Sequence, residues 1–495
     1  QYSNSGITNI LLSSDNDKIY CGTGSRGILV YDLASNTFHT LKTDSYYINE
    51  IYEDSKGNLW LGDNDGLEYV NIKDDTSFEY VNYEYDPTTI EEGGIEAIFV
   101  DYQGNIWAGG RYQGVNISYK SKNFIHYNIH STHSIALTKD RVKAIEGNGQ
   151  KLWIGYYNNG IDVVDLKTGK TQFIEPGVEP YKLPFTTIEQ LFMDSNDNLW
   201  VGTYRKGLLK HPISSNSFIS YTLREDNEND ATIGLDTRGI LEDNDENIWL
   251  ASHGLGLLKF YPDRENFDFF PKDKKTDNLS SDWHYDIIKD YKNNLWVATA
   301  YGLNKIDRNK ENVQKYFFAG DDSTSISNNN VYTLFEDSKN RLWVGTYRGL
   351  NRYNEKDDNF IRFPALKVLN TSTICAIEEG PGGELWISTK EGIVEFYPEK
   401  DSVNFFQSSS GFKFGEFYEN SSHKSEAGKI YFGNTNGMIA FDPAKVQQNI
   451  FKPPIVFTEL EVNGRHISIQ PDKKNAILQQ DINESGQIKL NHEQN

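Results

Sequence analysis

Short hydrophobic segments alternate with polar turns along the whole chain. Between positions 331 and 363 the hydrophobic segments are "VYTLF", "LWVGT", "LNRY" and "FIRF", and "EDSKNR", "YRG" and "NEKDDN" separate them. Asp, Ser and Asn readily bond their own backbone in tight turns, and Gly349 is free to adopt a positive φ. Because the segments lack a 3.6-residue period, the pattern predicts four antiparallel strands rather than helices.

The same pattern recurs ten times. An aromatic residue marks the second segment of each copy, and successive copies are 40 to 49 residues apart. The ten markers are Tyr20, Trp60, Trp107, Trp153, Trp200, Trp249, Trp296, Trp343, Trp386 and Tyr431. Four strands at this period are typical of a β-propeller blade. The predicted fold class is therefore all-β, a β-propeller of four-stranded blades.

The recurring residues, which we call the frame, have a structural role. A large ring on the second strand can fill the wedge between neighbouring blades, and one buried Trp removes about 150–250 Å² from water. We expect eight of the nine tryptophans to be such core residues and Trp283 to lie outside the frame. The frame glycines Gly155, Gly202 and Gly345 predict a β-bulge or a close approach of the neighbouring backbone.

Composition excludes some function classes. A net charge of −22 argues against a nucleic-acid partner, since neutralising phosphates requires a basic face. Cys21 and Cys375 both lie in strand-like runs, which predicts buried free thiols rather than a disulfide. No stretch approaches the roughly 18 uninterrupted apolar residues typical of a membrane-spanning helix.

The phrase "NRLWVGTYRGLNRY" and its copies resemble the two-component regulator propeller repeat. That repeat fills the periplasmic sensor regions of hybrid two-component systems in Bacteroides-type bacteria. Near the end, "GEFYENSSHKSEAGKIYFGNTNGMIAFDP" is similar to the closing blade of such sensors, and "PPIVFTELEVNGRHI" resembles the first strands of their Ig-like "Y_Y_Y" domain.

The resemblance implies three parts. Residues 1–122 would be three blades of a preceding propeller, residues 123–450 a seven-bladed ring, and residues 451–495 the start of the Ig-like domain. The last blade lacks an outer strand after "IAFDP", so we predict that "NFIHYN", residues 123–128, closes the ring from the other end. The alternative is one large ring of ten blades.

Catalytic motifs are absent from the sequence. "DSNDN" and "DNDEN" resemble acidic calcium loops but lack the glutamate of an EF-hand, so we interpret them as hairpin turns. Neither a G-x-S-x-G nor an H-E-x-x-H motif occurs. His253, His284 and His423 are the residues at which a lyase built on this fold would have to be tested. We expect no catalytic residue, no metal and no cofactor.

Variable residues between the frame positions predict the ligand-binding face. In a propeller, the turns from second to third strands and the connections between blades emerge on the same side. Aromatic platforms beside Arg and His donors suit the recognition of sugars. The candidate residues on this face are Tyr156, Tyr204, Arg205, Arg238, His253, Trp283, His284, Tyr301, Tyr347, Arg348 and Arg141.

By resemblance, the chain is a non-enzymatic sensor region of a hybrid two-component regulator. Its ligand would be an oligosaccharide from glycan breakdown, and its site would be periplasmic. The full receptor would be a homodimer that reaches the membrane through segments beyond this chain and controls polysaccharide-utilisation genes. The alternatives are a carbohydrate-active lyase or glycosidase on the same scaffold, and a propeller that binds protein.

Overall fold

A computed structural model of the chain describes residues 6–74, 76–80, 82, 90, 93–101, 104–112, 114–118, 124–129, 135–212, 215, 217–224, 232–270, 279–307, 312–369, 372–407, 415–446, 459–462, 465–471, 476–482, 488 and 490. The chain divides into two compact units, Gln1–Gln447 and Gln448–Asn495. Regular structure in the described residues is almost entirely antiparallel β-sheet. None of the helices among these residues has the length and apolar character that a membrane crossing requires.

Three sheets, called the leading blades, come first. Leading blade 1 has the strands Ile7–Leu12, Lys18–Thr23, Ile28–Asp32 and Thr37–Thr40. Leading blade 2 has the strands Ile48–Glu53, Leu59–Asp63, Leu67–Asn71 and Thr76–Tyr80. Leading blade 3 has the strands Ile95–Val100, Ile106–Gly110 and Val115–Ser118. In each sheet the strands follow one another in chain order, as the blade interpretation requires.

Seven further sheets are called ring blades 1 to 7. Ring blade 1 has the strands Val142–Gly147, Lys151–Tyr156, Ile161–Asp165 and Thr171–Ile174. Ring blade 2 has the strands Ile188–Met193, Leu199–Thr203, Leu208–His211 and Ile219–Tyr221. Ring blade 3 has the strands Thr237–Glu242, Ile248–Ser252, Gly256–Tyr261 and Asn266–Phe270. Ring blade 4 has the strands His284–Lys289, Leu295–Thr299, Gly302–Asp307 and Asn312–Tyr316. Ring blade 5 has the strands Val331–Glu336, Leu342–Thr346, Gly349–Asn354 and Asn359–Ile361. Ring blade 6 has the strands Ile374–Glu379, Leu385–Thr389, Gly392–Tyr397 and Ser402–Gln407. A ladder of Leu223–Arg224 with Thr232–Ile233 and the 3-10 helices Pro364–Leu369 and Pro443–Lys445 lie outside the blades.

Ring blade 7 takes its outer strand from an earlier part of the chain. Its first three strands are Phe417–Lys424, Ile430–Asn434 and Gly437–Phe441, and Ile125–Tyr127 pairs antiparallel with the last of these. This pairing confirms the predicted closing strand for residues 125–127; Asn123 lies outside the described residues. The first strands of successive ring blades contact one another, and that of blade 7 contacts that of blade 1, which closes the cycle at seven.

The frame aromatics fill the wedges between blades. Trp343 is fully buried and packs with Leu366, Leu369 and Ile374, which precede or begin the next blade. The turn carboxylate of Asp337 accepts a hydrogen bond from its indole Nε1 at 2.8 Å. Asp194, Asp243 and Asp290 hold Trp200, Trp249 and Trp296 in the same way, at 2.8, 2.9 and 2.9 Å. The acidic turns are therefore structural hairpins, as interpreted from the sequence.

Trp107 departs from this pattern. It occupies the frame position of leading blade 3 and donates to Asp101 at 3.0 Å, yet its exposed fraction is 38%. On the same sheet Phe99 and Val115 are also exposed. The prediction that eight tryptophans are buried core is thus wrong for Trp107. A frame Trp is buried by the blade that follows it, and none of the described residues covers Trp107.

The second compact unit contains one short ladder among its described residues. Glu461–Val462 pairs antiparallel with Arg465–His466. Leu478 is buried, and its carbonyl oxygen accepts a hydrogen bond from the backbone N–H of Gln470. Residues 453–458 and 463–464 of the predicted Ig-like strands lie outside the described residues. The division into residues 1–122, 123–450 and 451–495 stays a prediction.

Candidate functional site

A β-bulge interrupts the first strand of every ring blade. In ring blade 1, Val142 lies opposite Tyr156 and Ala144 lies opposite Gly155, so Lys143 has no partner in the ladder. Bulges re-aim side chains that would otherwise follow the alternation of the strand. The interrupted positions, called the bulge ring, are Lys143, Glu189, Arg238, Tyr285, Tyr332, Cys375 and residues 418–421.

The frame glycines allow this geometry. A Cβ at Gly155 would lie 2.4 Å from Ile188 Cγ2, and a Cβ at Gly345 would lie 2.7 Å from Ile374 Cγ2. Ile188 and Ile374 begin the first strands of the following blades, directly before their bulges. Small residues at these positions let each blade approach the next at the bulged end of the ring. The predicted bulges and close contacts at these glycines are confirmed.

One half of the bulge ring is charged. The Arg238 guanidinium contacts Glu189 Oε2 at 2.8 Å and Asp236 Oδ1 at 3.0 Å, and the Lys143 ammonium lies 3.9 Å from Glu189. Burial raises the pKa of Glu189, although Lys143 and Arg238 oppose the shift. Burial acts to lower the pKa of Arg238, but Glu189 and Asp236 raise it overall. Three successive blades thus present a lysine, a glutamate and an arginine in one connected network.

The other half is aromatic. The rings of Tyr285 and Tyr332 lie 4.8 Å apart, centroid to centroid, on neighbouring blades. His253 packs against both Tyr285 at 5.7 Å and Trp283 at 4.5 Å. Burial raises the pKa of Tyr332 to about 12, so its hydroxyl stays protonated at neutral pH. Trp283 keeps 52% of its surface exposed and forms the outer edge of this aromatic half.

The bulge of ring blade 7 reaches the blades on either side of it. Glu419 contacts Lys390 at 3.0 Å and lies 3.9 Å from Lys143. The side-chain amide of Asn420 donates to the carbonyl oxygens of Tyr285 and Tyr332 at 3.0 and 3.1 Å. Residues 418–421 therefore connect blade 7 to blades 1, 4, 5 and 6.

A second aromatic pair lies at the junction of blades 7 and 1. Tyr157 and Tyr418 stack with their centroids 6.2 Å apart and their planes 6° from parallel. The Arg141 guanidinium lies 4.2 Å from the Tyr157 ring centroid, and its Nε donates to the Tyr418 hydroxyl at 3.1 Å. Tyr157 is 41% exposed. The bulged end of the ring thus offers flat apolar surfaces beside charged donors and acceptors.

Comparison with known proteins assigns the repeats. The family described as "Two component regulator propeller" matches residues 33–65, 182–205 and 325–348. Each matched segment contains or directly adjoins a frame turn of a blade described above.

Three segments of the chain therefore match the two-component regulator propeller repeat.

The chain is also similar to a histidine kinase and to extracellular domains of hybrid two component systems. "Histidine kinase P4" of Formosa agariphila is 24% identical over 377 residues, which cover 73% of this chain and 26% of that protein. The extracellular domain of a hybrid two component system from B. thetaiotaomicron matches 94% of this chain and 66% of its own, with a TM-score of 0.64 and 22% identity. A second such domain from B. thetaiotaomicron matches 94% and 62%, with a TM-score of 0.56 and 20% identity.

These matches extend over only part of the relatives. The chain spans about a quarter of the curated relative's length, 26%, and about two thirds of the solved extracellular domain, 66%. At identities below a quarter, the solved structures establish the propeller fold.

Four of the predicted site residues lie at or next to the bulge ring. Arg238 is a member of it, His253 and Trp283 adjoin its aromatic half, and Arg141 contacts Tyr418. Five others lie on turns between the second and third strands of ring blades, with exposed side chains. They are Tyr204, Arg205, Tyr301, Tyr347 and Arg348. For these five, a role in binding stays a prediction.

Two predicted residues are buried instead of facing solvent. Tyr156 is 0% exposed, and its hydroxyl bonds the carboxylate of Asp162. His284 is also 0% exposed, and its Nε2 lies 2.7 Å from the carbonyl oxygen of Ser281. Burial lowers the pKa of His284 to about 4. Tyr156 ends a second strand and His284 begins a first strand, and each belongs to the ladder pair next to a bulge. At these positions the side chain points into the blade.

Sequence reasoning missed most of the bulge ring. Lys143, Glu189, Tyr285 and Tyr332 each follow the first residue of an inner strand, a position that the hydrophobic pattern assigns to a buried strand. The available signal is the small frame residue, such as Gly155 or Ala298, because the bulge directly precedes its partner in the ladder. The residue before that partner is Lys143 in ring blade 1 and Tyr285 in ring blade 4.

Proposed function

We propose that this chain is the periplasmic ligand-sensing region of a hybrid two-component system, and that it binds a glycan-derived oligosaccharide at the bulge ring. The observation that carries the proposal is the division of that ring into a charged half and an aromatic half. Sugar rings have one face that packs on aromatic side chains and hydroxyls that bond charged groups. The extracellular two-component sensors among the relatives support the sensing role.

The charged half supplies partners for hydroxyl groups. Glu189 and Asp236 accept hydrogen bonds, and Arg238 donates them from a fixed fork because both carboxylates hold its guanidinium. A ligand therefore meets groups that are already ordered, which lowers the entropic cost of binding. Trp283 and Tyr157, both partly exposed, provide apolar surfaces on separate sides of the ring.

Signalling requires a part of the protein that differs between the free and bound states. Residues 418–421 are suited to this role, since they contact four other blades and line the proposed site. The strand Gly437–Phe441 of the same blade leads along the chain toward the second compact unit. A ligand that repositions Glu419 or Asn420 would thus act on the blade from which the chain continues. In the full receptor we place the relay in a homodimer that passes the signal across the membrane to polysaccharide-utilisation genes.

Calorimetric screening tests this function. The intact chain is titrated with oligosaccharides released from plant, algal and host glycans, and the bound ones are titrated again into Trp283→Ala. We expect at least one oligosaccharide to bind and the variant to bind it at least tenfold more weakly, the loss expected when an aromatic ring that contacts the ligand is removed. Failure of every oligosaccharide to bind would contradict the proposal.

A second candidate function is catalysis at the same end of the ring. His253 Nδ1 lies 3.9 Å from Asp236 Oδ2, beside the carboxylate of Glu189. Burial lowers the pKa of His253, which keeps the imidazole neutral and able to accept a proton. Chromatography of bound oligosaccharides after long incubation distinguishes the two functions. Products that disappear in His253→Ala would favour a lyase or glycosidase, whereas unchanged oligosaccharides favour a sensor.

A further inference from the structure

Lys143 is a buried amine with incomplete partners, and burial lowers its pKa although Glu419 and Glu189 oppose the shift. Its side chain is 6% exposed, and the carboxylates of Glu189 and Glu419 both lie 3.9 Å from its Nζ, beyond hydrogen-bond distance. Among the described residues it makes no hydrogen bond, although an ammonium has three N–H donors. The Tyr418 ring centroid lies 5.1 Å from Nζ. Burying an ammonium without hydrogen bonds is costly, so an additional acceptor near Lys143 would be bound strongly.

Glu419 occupies the space between two lysines. One carboxylate oxygen contacts Lys390 at 3.0 Å, and the other faces Lys143. Burial acts to raise the pKa of Glu419, but the charges of Lys143 and Lys390 lower it overall, so the carboxylate is ionised at neutral pH. Glu419 is about a quarter exposed, at 28%, and belongs to a bulge rather than to the regular ladder. It thus holds an anion between the two lysines, on a segment that makes no ladder pairs of its own.

The ion-paired network holds as many cations as carboxylates. Lys143, Arg238 and Lys390 pair with Glu189, Asp236 and Glu419, and Arg141 contacts the neutral side chains of Tyr157 and Tyr418. Displacement of the Glu419 carboxylate would leave Lys143 and Lys390 with one negative charge fewer, which an anionic ligand group would replace and a neutral sugar would not.

We infer that the ligand carries an anionic group, the carboxylate of a uronic acid or a sulfate ester, that binds Lys143 and Lys390 in place of the Glu419 carboxylate. The inference rests on the proposed oligosaccharide function and specifies its ligand class. The incoming oxygens supply the hydrogen bonds that Lys143 lacks, and the displaced Glu419 moves residues 418–421. Recognition of the ligand and a change in ring blade 7 are then one event.

A glycan array tests the inference with the intact chain. The labelled protein is applied to neutral, uronate-containing and sulfated oligosaccharides of matched lengths, together with carboxyl-reduced and desulfated counterparts. We expect retention on acidic glycans and at least tenfold weaker binding of their neutral counterparts. The carboxyl-reduced and desulfated arms show whether the anion is a carboxylate or a sulfate.

Two substitutions with opposite expected effects sharpen this test. Lys143→Met should weaken binding of the retained acidic glycan by about tenfold to hundredfold, the usual loss for a hydrogen bond to a charged group. Glu419→Gln removes the internal competitor and should strengthen the same binding severalfold. Lys167→Met and Glu265→Gln change the same charges on exposed turns and should leave binding unchanged. Melting curves identify misfolded variants, in which case the partly exposed Lys390→Met replaces Lys143→Met.

The outcomes separate the inference from the proposed function. Equal retention of neutral and acidic glycans, or a Glu419→Gln variant that binds the acidic glycan more weakly, would overturn the anionic ligand and leave an oligosaccharide sensor. Retention of no glycan would overturn both. Acidic retention that Lys143→Met reduces and Glu419→Gln increases would support both.

Discussion

The side-chain amide of Asn420 donates a hydrogen bond to the carbonyl oxygen of Tyr285 at 3.0 Å, although 135 residues separate them along the chain. The same amide reaches the carbonyl oxygen of Tyr332 at 3.1 Å. Asn420 has a φ of 55°, in the left-handed region that Asn tolerates better than most residues. A bulge on the closing blade is therefore fixed to two blades across the ring.

Substitutions at Asn420 should separate its hydrogen bonds from its backbone conformation. Asn420→Gly keeps the positive φ but loses both bonds, which we expect to lower the free energy of unfolding by about 1–3 kcal/mol. Asn420→Ala loses the bonds and adds about 1–2 kcal/mol of strain. Urea denaturation should give free energies of unfolding that fall from the wild type to Asn420→Gly and then to Asn420→Ala. Equal stability of the Gly and Ala variants would contradict a strained backbone at this position.

The frame tryptophans offer a matched pair for the packing of blades. Trp343 and Trp107 occupy the same frame position and donate to a turn carboxylate at 2.8 and 3.0 Å, but their exposed fractions are 0% and 38%. Trp343→Ala should lower the free energy of unfolding by about 3–5 kcal/mol, since it empties a wedge between two blades. Trp107→Ala should lower it by less than half as much. Similar losses in calorimetric melting would show that burial by the next blade does not explain the frame.

The protonation of His284 should make the ring sensitive to acid. Its pKa is about 4 in the folded chain and about 6.5 when exposed, so the stabilisation is complete above pH 6.5 and is lost as the pH falls to 4. The difference of about 2.5 units corresponds to about 3 kcal/mol. The difference in the free energy of unfolding between the wild type and His284→Gln should therefore shrink by most of its value between pH 7 and pH 4.

Chemical denaturation at pH 7, 5.5 and 4 checks this expectation. His39→Gln serves as the control, because His39 is exposed on an outer strand of leading blade 1. Its difference from the wild type should stay constant over the same range. A constant difference for His284→Gln as well would mean that His284 is not held neutral by burial.

The fold could be predicted from the sequence because each blade repeats the same physical requirement. Trp343 and its copies recur since every wedge needs a large ring, and Asp337 and its copies recur since every indole N–H needs an acceptor. The closing strand at residues 125–127 was predictable from a blade that lacked its fourth strand. The exposure of Trp107 was not predictable, because it depends on which blade follows this residue in space.

The candidate site was only partly predictable. Variable turn residues identified Arg238, His253 and Trp283, which lie near the bulge ring. Lys143 and Glu189 were not predicted as site residues, because a bulge shifts one side chain out of the strand alternation without changing the hydrophobic pattern around it. Tyr156 and His284 were predicted to face a ligand because the ends of strands could not be distinguished from the turns that follow them.

Trp283 should contribute to ligand binding without contributing to stability. It is 52% exposed, and its closest ring contact is His253 at 4.5 Å. Trp283→Ala should shift the melting temperature by no more than about 2 °C, as expected for a surface substitution in a protein of this size. Addition of a bound oligosaccharide should change the fluorescence of the wild type and leave that of Trp283→Ala nearly unchanged.

Calorimetric titration of the intact chain with oligosaccharides tests the central claim most directly, because it measures binding and assigns it to the bulge ring in one experiment. Wild type, Trp283→Ala and Lys143→Met are compared with Tyr112→Ala, which removes a tyrosine that is 85% exposed in the turn between two strands of leading blade 3. We predict one saturable site in the wild type, at least tenfold weaker binding in Trp283→Ala and in Lys143→Met, and unchanged binding in Tyr112→Ala. Binding that survives both Trp283→Ala and Lys143→Met, or the failure of every oligosaccharide to bind, would contradict it.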